Sequence, residues 1–160
     1  MSTGYAILIS ITACVLAAAL EGLCAGRNVK SFFAELRFPP FSAPLWVWSI
    51  IGALYYVTFC FVLYRLLRLD SNSVLKYAAL TLMFFMMVIN ALTNYIIFRA
   101  RKIHLSFIIG NIFPIMDVTL FICLIRLDGI AAWSLIPYLL YRIYAIWWGY
   151  ALWKINSRPG

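Results

Sequence analysis

Acidic side chains are scarce in this sequence: 5 Asp and Glu stand against 13 Lys and Arg, for a net charge of +8. Histidine occurs once, at His104, beside Arg101 and Lys102 at a segment edge. A lone interfacial histidine is read as solvated rather than metal-bound. Cys14, Cys24, Cys60 and Cys123 are scattered over apolar segments without CxxC or any ligand spacing, so they read as small buried hydrophobes and no metal site is expected. The chain also lacks a Walker loop, an HExxH, a GxSxG and any carboxylate pair at helical spacing. Those absences exclude an ATP-driven pump and the common hydrolases. What the chain has instead is apolar surface: 66% hydrophobic residues, 11% charged, mean hydropathy +0.96. A soluble domain does not need that much, so this is an integral membrane protein. Its basic residues sit mostly at segment ends, where they anchor to headgroups, and nucleic-acid binding is not indicated.

The expected fold is all-α: a single five-helix transmembrane domain over residues 1–160, with spans at about 5–25, 44–64, 74–98, 103–125 and 130–153. About 20 apolar residues cross the hydrocarbon layer, and each run reaches that length. The first run has no basic n-region and is too long for a signal peptide, so it is kept as a permanent helix. Glu21 is placed at headgroup level near its end, and Gly22 and Gly26 form a small-xxx-small pair that permits close helix approach. The connection Arg27–Ala43 puts Val29, Phe32, Phe33 and Leu36 on one helical face, stopped by Pro39 and Pro40. It suits a short helix lying in the interface, or a lid over a cavity with Phe32, Phe33 and Phe41 as its apolar underside. Trp46 and Trp48 open the second span at the expected aromatic belt. Asp70–Ser73 is a polar turn. In the third span Asn90 and Asn94 share a face that should look into the bundle, since membrane amides need partners.

Positive charge sets the expected orientation. Arg65, Arg68, Lys76 and Arg126 lie on the side of the N-terminus, whereas Arg27, Lys30, Arg37, Arg99, Arg101, Lys102, Lys154 and Arg158 lie on the other. The N-terminus is therefore expected outside, and the first connection and C-terminus in the cytoplasm. Two further charges fall inside the spans. Asp117 lies 11 residues before Asp128 and Arg142 lies 13 after Gly129. Both thus sit roughly 16–20 Å from the same surface, on adjacent antiparallel helices. Each is costly alone, so an Asp117–Arg142 ion pair facing the bundle interior is expected.

At Phe32–Tyr56 and Asn90–Asn156 the sequence resembles the tryptophan-rich sensory protein/translocator protein family (TspO/MBR). The run FFAELRFPPFSAPLWVWSIIGALYY is similar to the family's WYxxLxKPxWxPPxWVFGPVWxxLY, with Leu36, Pro39, Pro44, Trp46, Val47 and Tyr56 in register. Asn90 and Phe98 match the third-helix pattern; Pro137, Tyr138, Leu139, Ala145, Trp153 and Asn156 match the last. The resemblance implies five membrane helices, a homodimer in lipid, and a tetrapyrrole (haem or protoporphyrin) or sterol-like ligand to be sensed or transported. Family tryptophans are replaced here by Phe32, Phe41, Gly52, Thr93 and Tyr141, a last-helix asparagine by Gly149, and a frequent acidic residue of the fourth helix by Ile109. Gly52 and Thr93 each remove roughly 150–250 Å² of aromatic surface.

The sequence leaves three functions of different kinds open. One is a binding protein for a small, flat, apolar molecule. Gly52, Thr93 and Gly149 would leave space, and Asn90, Asn94, Tyr138 and Tyr141 would supply polar groups. With Trp46, Tyr56, Ala145 and Trp148 these are the candidate ligand-binding residues. Tight helix packing at the small residues is the competing explanation. Another is a porphyrin-degrading enzyme, an activity reported for some family members and credited there to cavity tryptophans. Two of those positions are Gly52 and Thr93 here, so no catalytic residue is assigned. A purely structural subunit of a membrane complex is the third alternative.

Overall fold

The computed structural model describes residues 2–70 and 73–157. Ser71 and Asn72 of the expected polar turn, and Arg158 of the charge tally, lie outside the described residues. The fold is all-helical: α1 (Thr3–Ala25), α2 (Val29–Glu35), α3 (Leu45–Arg68), α4 (Val74–Asn94), α5 (Ile103–Gly110), α6 (Phe113–Leu127) and α7 (Gly129–Asn156). A π-helical turn, Tyr95–Arg99, extends α4. Five spans are long and apolar enough to cross a membrane: α1, α3, α4 with its π turn, α5 with α6, and α7. The protein is a multi-pass integral membrane protein, with the short helix α2 between its first two spans.

Local chemistry explains the boundaries. Ser2 and Ser73 cap α1 and α4 with their hydroxyls. Gly26 ends α1 with φ 75°, a left-handed conformation that glycine adopts without strain. The fourth span, expected to be continuous, breaks at Asn111 and Ile112. Pro114 cannot donate to the carbonyl of Gly110 and its ring clashes there, so α6 restarts with the proline in its first turn. Asn111 turns its side-chain amide back onto the Phe107 carbonyl at 2.7 Å, which also accepts the Asn111 backbone amide at 3.1 Å. Pro137, by contrast, is carried within an unbroken α7.

The spans close a ring in the order α1, α3, α7, α6 with α5, α4, and back to α1. Its interior is solid at one end only. Phe59, Val62 and Leu66 of α3 meet Ala79, Met83 and Met86 of α4, Leu120 and Leu124 of α6, and Ala131 and Leu135 of α7, nearly all fully buried. This end is pinned by Arg65, whose Nε and Nη2 donate to Asp128 Oδ2 and Oδ1 at 2.7 and 2.9 Å. Asp128 Oδ1 also accepts from the amides of Ile130 and Ala131, capping α7. Hydrogen bonding from Arg65 is the largest cause holding the Asp128 carboxyl below its ordinary value of 3.8, and the cap amides add to it. Leucine, isoleucine and valine side chains such as Leu8, Val15, Leu54, Ile115 and Val118 are exposed around the outside, as a lipid-facing belt requires.

Candidate functional site

The opposite end of the ring, where α2 lies, is hollow. A cavity of about 580 Å³ opens between α1, α3, α4, α5 and α7, with Val29 and Phe33 of the α2 segment on its boundary. Glycine positions explain part of the space. A Cβ on Gly52 or Gly22 would meet nothing within 4 Å, and one on Gly149 would just touch Phe107 at 3.5 Å. Gly22 therefore opens onto the cavity and does not serve the close helix approach expected of it. Gly26 instead lies under the Arg99 side chain.

Ten of the candidate residues line this space: Gly52, Tyr56, Asn90, Thr93, Asn94, Tyr138, Tyr141, Ala145, Trp148 and Gly149. Trp46 does not. It is 65% exposed, on the face of α3 shared with Ile50, Leu54 and Val57, and turns outward to lipid. Trp48, two residues on, occupies the wall in its place, because the periodicity 48, 52, 55, 56 is the inward stripe of α3. The Trp48 ring packs on Trp148 at 4.5 Å, Tyr144 at 6.0 Å and Tyr141 at 6.1 Å.

Polar groups converge at two places. The first was missed in the sequence: Glu21 is turned into the bundle, not held at headgroup level. Tyr56 OH and Asn90 Nδ2 donate to its Oε2 at 2.6 and 2.8 Å, and Asn94 Nδ2 donates to Oε1 at 3.0 Å. The two asparagine amides that had to find partners were the available signal. They needed an acceptor, and Glu21 is the one acidic residue of the first span. Asn94 also donates to the Asn90 carbonyl at 3.0 Å, immediately before the π turn. Thr93 spends its hydroxyl on the Ile89 carbonyl and offers only its methyl and its small size.

The second polar centre is Arg142, whose Nε lies 2.8 Å from Asp117 Oδ2. Asp117 is 1% exposed, and the guanidinium is covered by the rings of Phe113 at 4.5 Å and Tyr138 at 4.8 Å. Arg142 lines the cavity; Asp117 stands behind it. Two buried polar atoms near these groups, Tyr55 OH and Asp117 Oδ1, have no partner among the described residues.

The connection that follows α2, from Arg37 to Ala43, is bound to α7. Asn156 bridges both backbone groups of Arg37, at 3.1 and 2.9 Å. Tyr144 OH donates to the Phe41 carbonyl and accepts from the Ala43 amide, and Trp148 Nε1 donates to Ser42 Oγ at 2.9 Å. Phe32 is buried, edge-on to Phe98 and under the Arg101 guanidinium. Phe41 departs from the expected underside: its backbone takes φ 64° and its ring is 90% exposed. Tyr144 holds its carbonyl inward, which sends the side chain out. His104 lies on the surface, stacked on Trp153 at 4.9 Å. No cluster of metal-ligating side chains occurs among the described residues.

A ring of five membrane spans around a cavity whose wall is mostly apolar, with polar groups converging at two points, defines a membrane protein with an internal small-molecule chamber. The sequence model of the TspO/MBR family matches residues 10–154, nearly the whole chain, and the protein belongs to that family. No curated protein matches the chain.

Proposed function

We propose that this protein binds a flat, largely apolar small molecule in the chamber, to sense it or to pass it through the membrane. The observation that carries this reading is the chamber itself. Its 580 Å³ falls within the roughly 300–1,000 Å³ of small-molecule sites, and its lining is mostly apolar with a few converging polar groups. Family membership supports a tetrapyrrole or a sterol-like lipid as the class of ligand. Among the described residues the chamber wall offers tyrosine hydroxyls but no His, Cys or Met that would hold a haem iron. A metal-free ring or a sterol-like body needs only the apolar walls. The same proposal includes a homodimer in lipid and a cytoplasmic placement of the α2 end, which cysteine labelling from either side of a vesicle tests.

The experiment is to purify the protein in mild detergent and identify co-purifying small molecules by mass spectrometry, alongside a Gly149→Phe variant that fills the chamber. A flat apolar molecule retained by the wild type and lost from the variant is the expected result. Equal retention by both, or none in either, overturns the reading.

A further inference from the structure

Charge inside the chamber does not balance, and this bears on what enters it. Among the described residues, two charged ones line the space, Glu21 and Arg142. Arg142 is neutralised by Asp117 at 2.8 Å and covered by two aromatic rings. Glu21 belongs to none of the ion pairs among the described residues, which join Arg65 to Asp128, Arg101 to Glu35 and Arg142 to Asp117. Its three partners, Tyr56, Asn90 and Asn94, are neutral donors that converge on both oxygens, the arrangement an acceptor-only carboxylate takes. The chamber thus has a net negative wall in a medium of low dielectric, where an uncompensated charge attracts an opposite one strongly. Lys30, Arg99 and Lys102 are not among the described residues that line the chamber.

Two further features of the chamber wall suit a cation. Trp48 and Trp148, packed together at 4.5 Å, present indole to the chamber, and aromatic faces attract cations. Tyr55 also lines the chamber, 6% exposed, and its buried hydroxyl has no partner among the described residues.

Resting on the chamber as a binding site, we propose that it also accepts a flat apolar molecule carrying a protonated amine or amidinium, held by Glu21.

The test uses the full chain in nanodiscs of zwitterionic phosphatidylcholine at pH 8, with tryptophan quenching as the readout and empty discs subtracted. Two probes share one ring system: 9-aminoacridine, a cation at that pH, and acridine, which is neutral. The wild type is expected to bind the cation at least about tenfold more tightly. Glu21→Gln, which keeps the size and the acceptor carbonyl, is expected to lose that preference while still binding acridine. Equal affinity of the wild type for both probes overturns the proposal whether or not the variant folds, as does an unchanged preference in Glu21→Gln. Acridine binding without a cation preference leaves the chamber reading intact and sinks this one. Failure of both probes to bind sinks both.

Discussion

Removing one partner of the Asp117–Arg142 pair is expected to damage the fold asymmetrically. Asp117 is 1% exposed, and one of its oxygens already lacks a partner among the described residues. Arg142→Gln strips away the cation paired with that carboxylate and leaves a charge in the interior, which costs about 3–5 kcal/mol. Asp117→Asn leaves the guanidinium unpaired as well, but Arg142 keeps the rings of Phe113 and Tyr138 at 4.5 and 4.8 Å. A desolvated cation–π contact offsets about 2 kcal/mol. Asp117→Asn should therefore cost less than Arg142→Gln, about 1–3 kcal/mol against 3–5. The double variant should recover at least about 2 kcal/mol relative to the sum, because neither charge remains to be stranded. Reversible unfolding in mixed micelles, followed by the circular dichroism of the helices, measures all three. Additivity within about 0.5 kcal/mol would refute the coupling. A larger loss for Asp117→Asn than for Arg142→Gln would refute the role assigned to the rings.

Tryptophan at both Gly52 and Thr93 is expected to be accommodated, since a Cβ on Gly52 meets nothing within 4 Å. Quenching titrations with protoporphyrin should show altered affinity without unfolding; unfolding of the double variant by about 1–3 kcal/mol would mark these as packing positions. The Arg65–Asp128 pair makes stability depend on acid. The folded carboxyl titrates below its ordinary value of 3.8, so its contribution is present above that value and is lost as pH falls through the lower folded one. Arg65→Gln should remove about 0.5–1 kcal/mol at neutral pH and flatten the loss of stability below about pH 4. Spin labels placed along residues 29–41 should report an ordered segment, loosened by Asn156→Ala through loss of both bonds to Arg37. The mobility of a free loop in the wild type would contradict the attachment to α7.

Much of this fold was legible in the sequence because lipid leaves few options: a backbone crossing hydrocarbon must bond to itself, so apolar runs of sufficient length became helices at nearly the expected bounds. Arg142 and Asp117 met because two antiparallel helices with a short hairpin fix depth arithmetically. Rotation about a helix axis was less legible. Trp46 and Trp48 looked alike as belt residues, and which one turned inward depended on the stripe continued by Gly52 and Tyr56. Glu21 was misplaced for a related reason. Its distance from the helix end suggested the headgroups, but the fit of α1 against α3 and α4 decided where it faced. The break at Asn111 was foreshadowed by Pro114. The outward swing of Phe41 was not, since it follows from Tyr144, 103 residues away, taking hold of the carbonyl.

The division of the ring into a packed end and an empty one makes rigidity a matter of position along each helix. Near Arg65 and Asp128, side chains are locked by neighbours on every side, and opening this part demands the whole fold. Around Asn90, Asn94 and the π turn, the inner side chains face space and lose the dispersion contacts that a filled interior would give. One end of the protein is a plinth and the other a cup. An occupant of the cup would supply the missing core, and amide exchange along the second half of α4 should slow on loading while the first half stays unchanged.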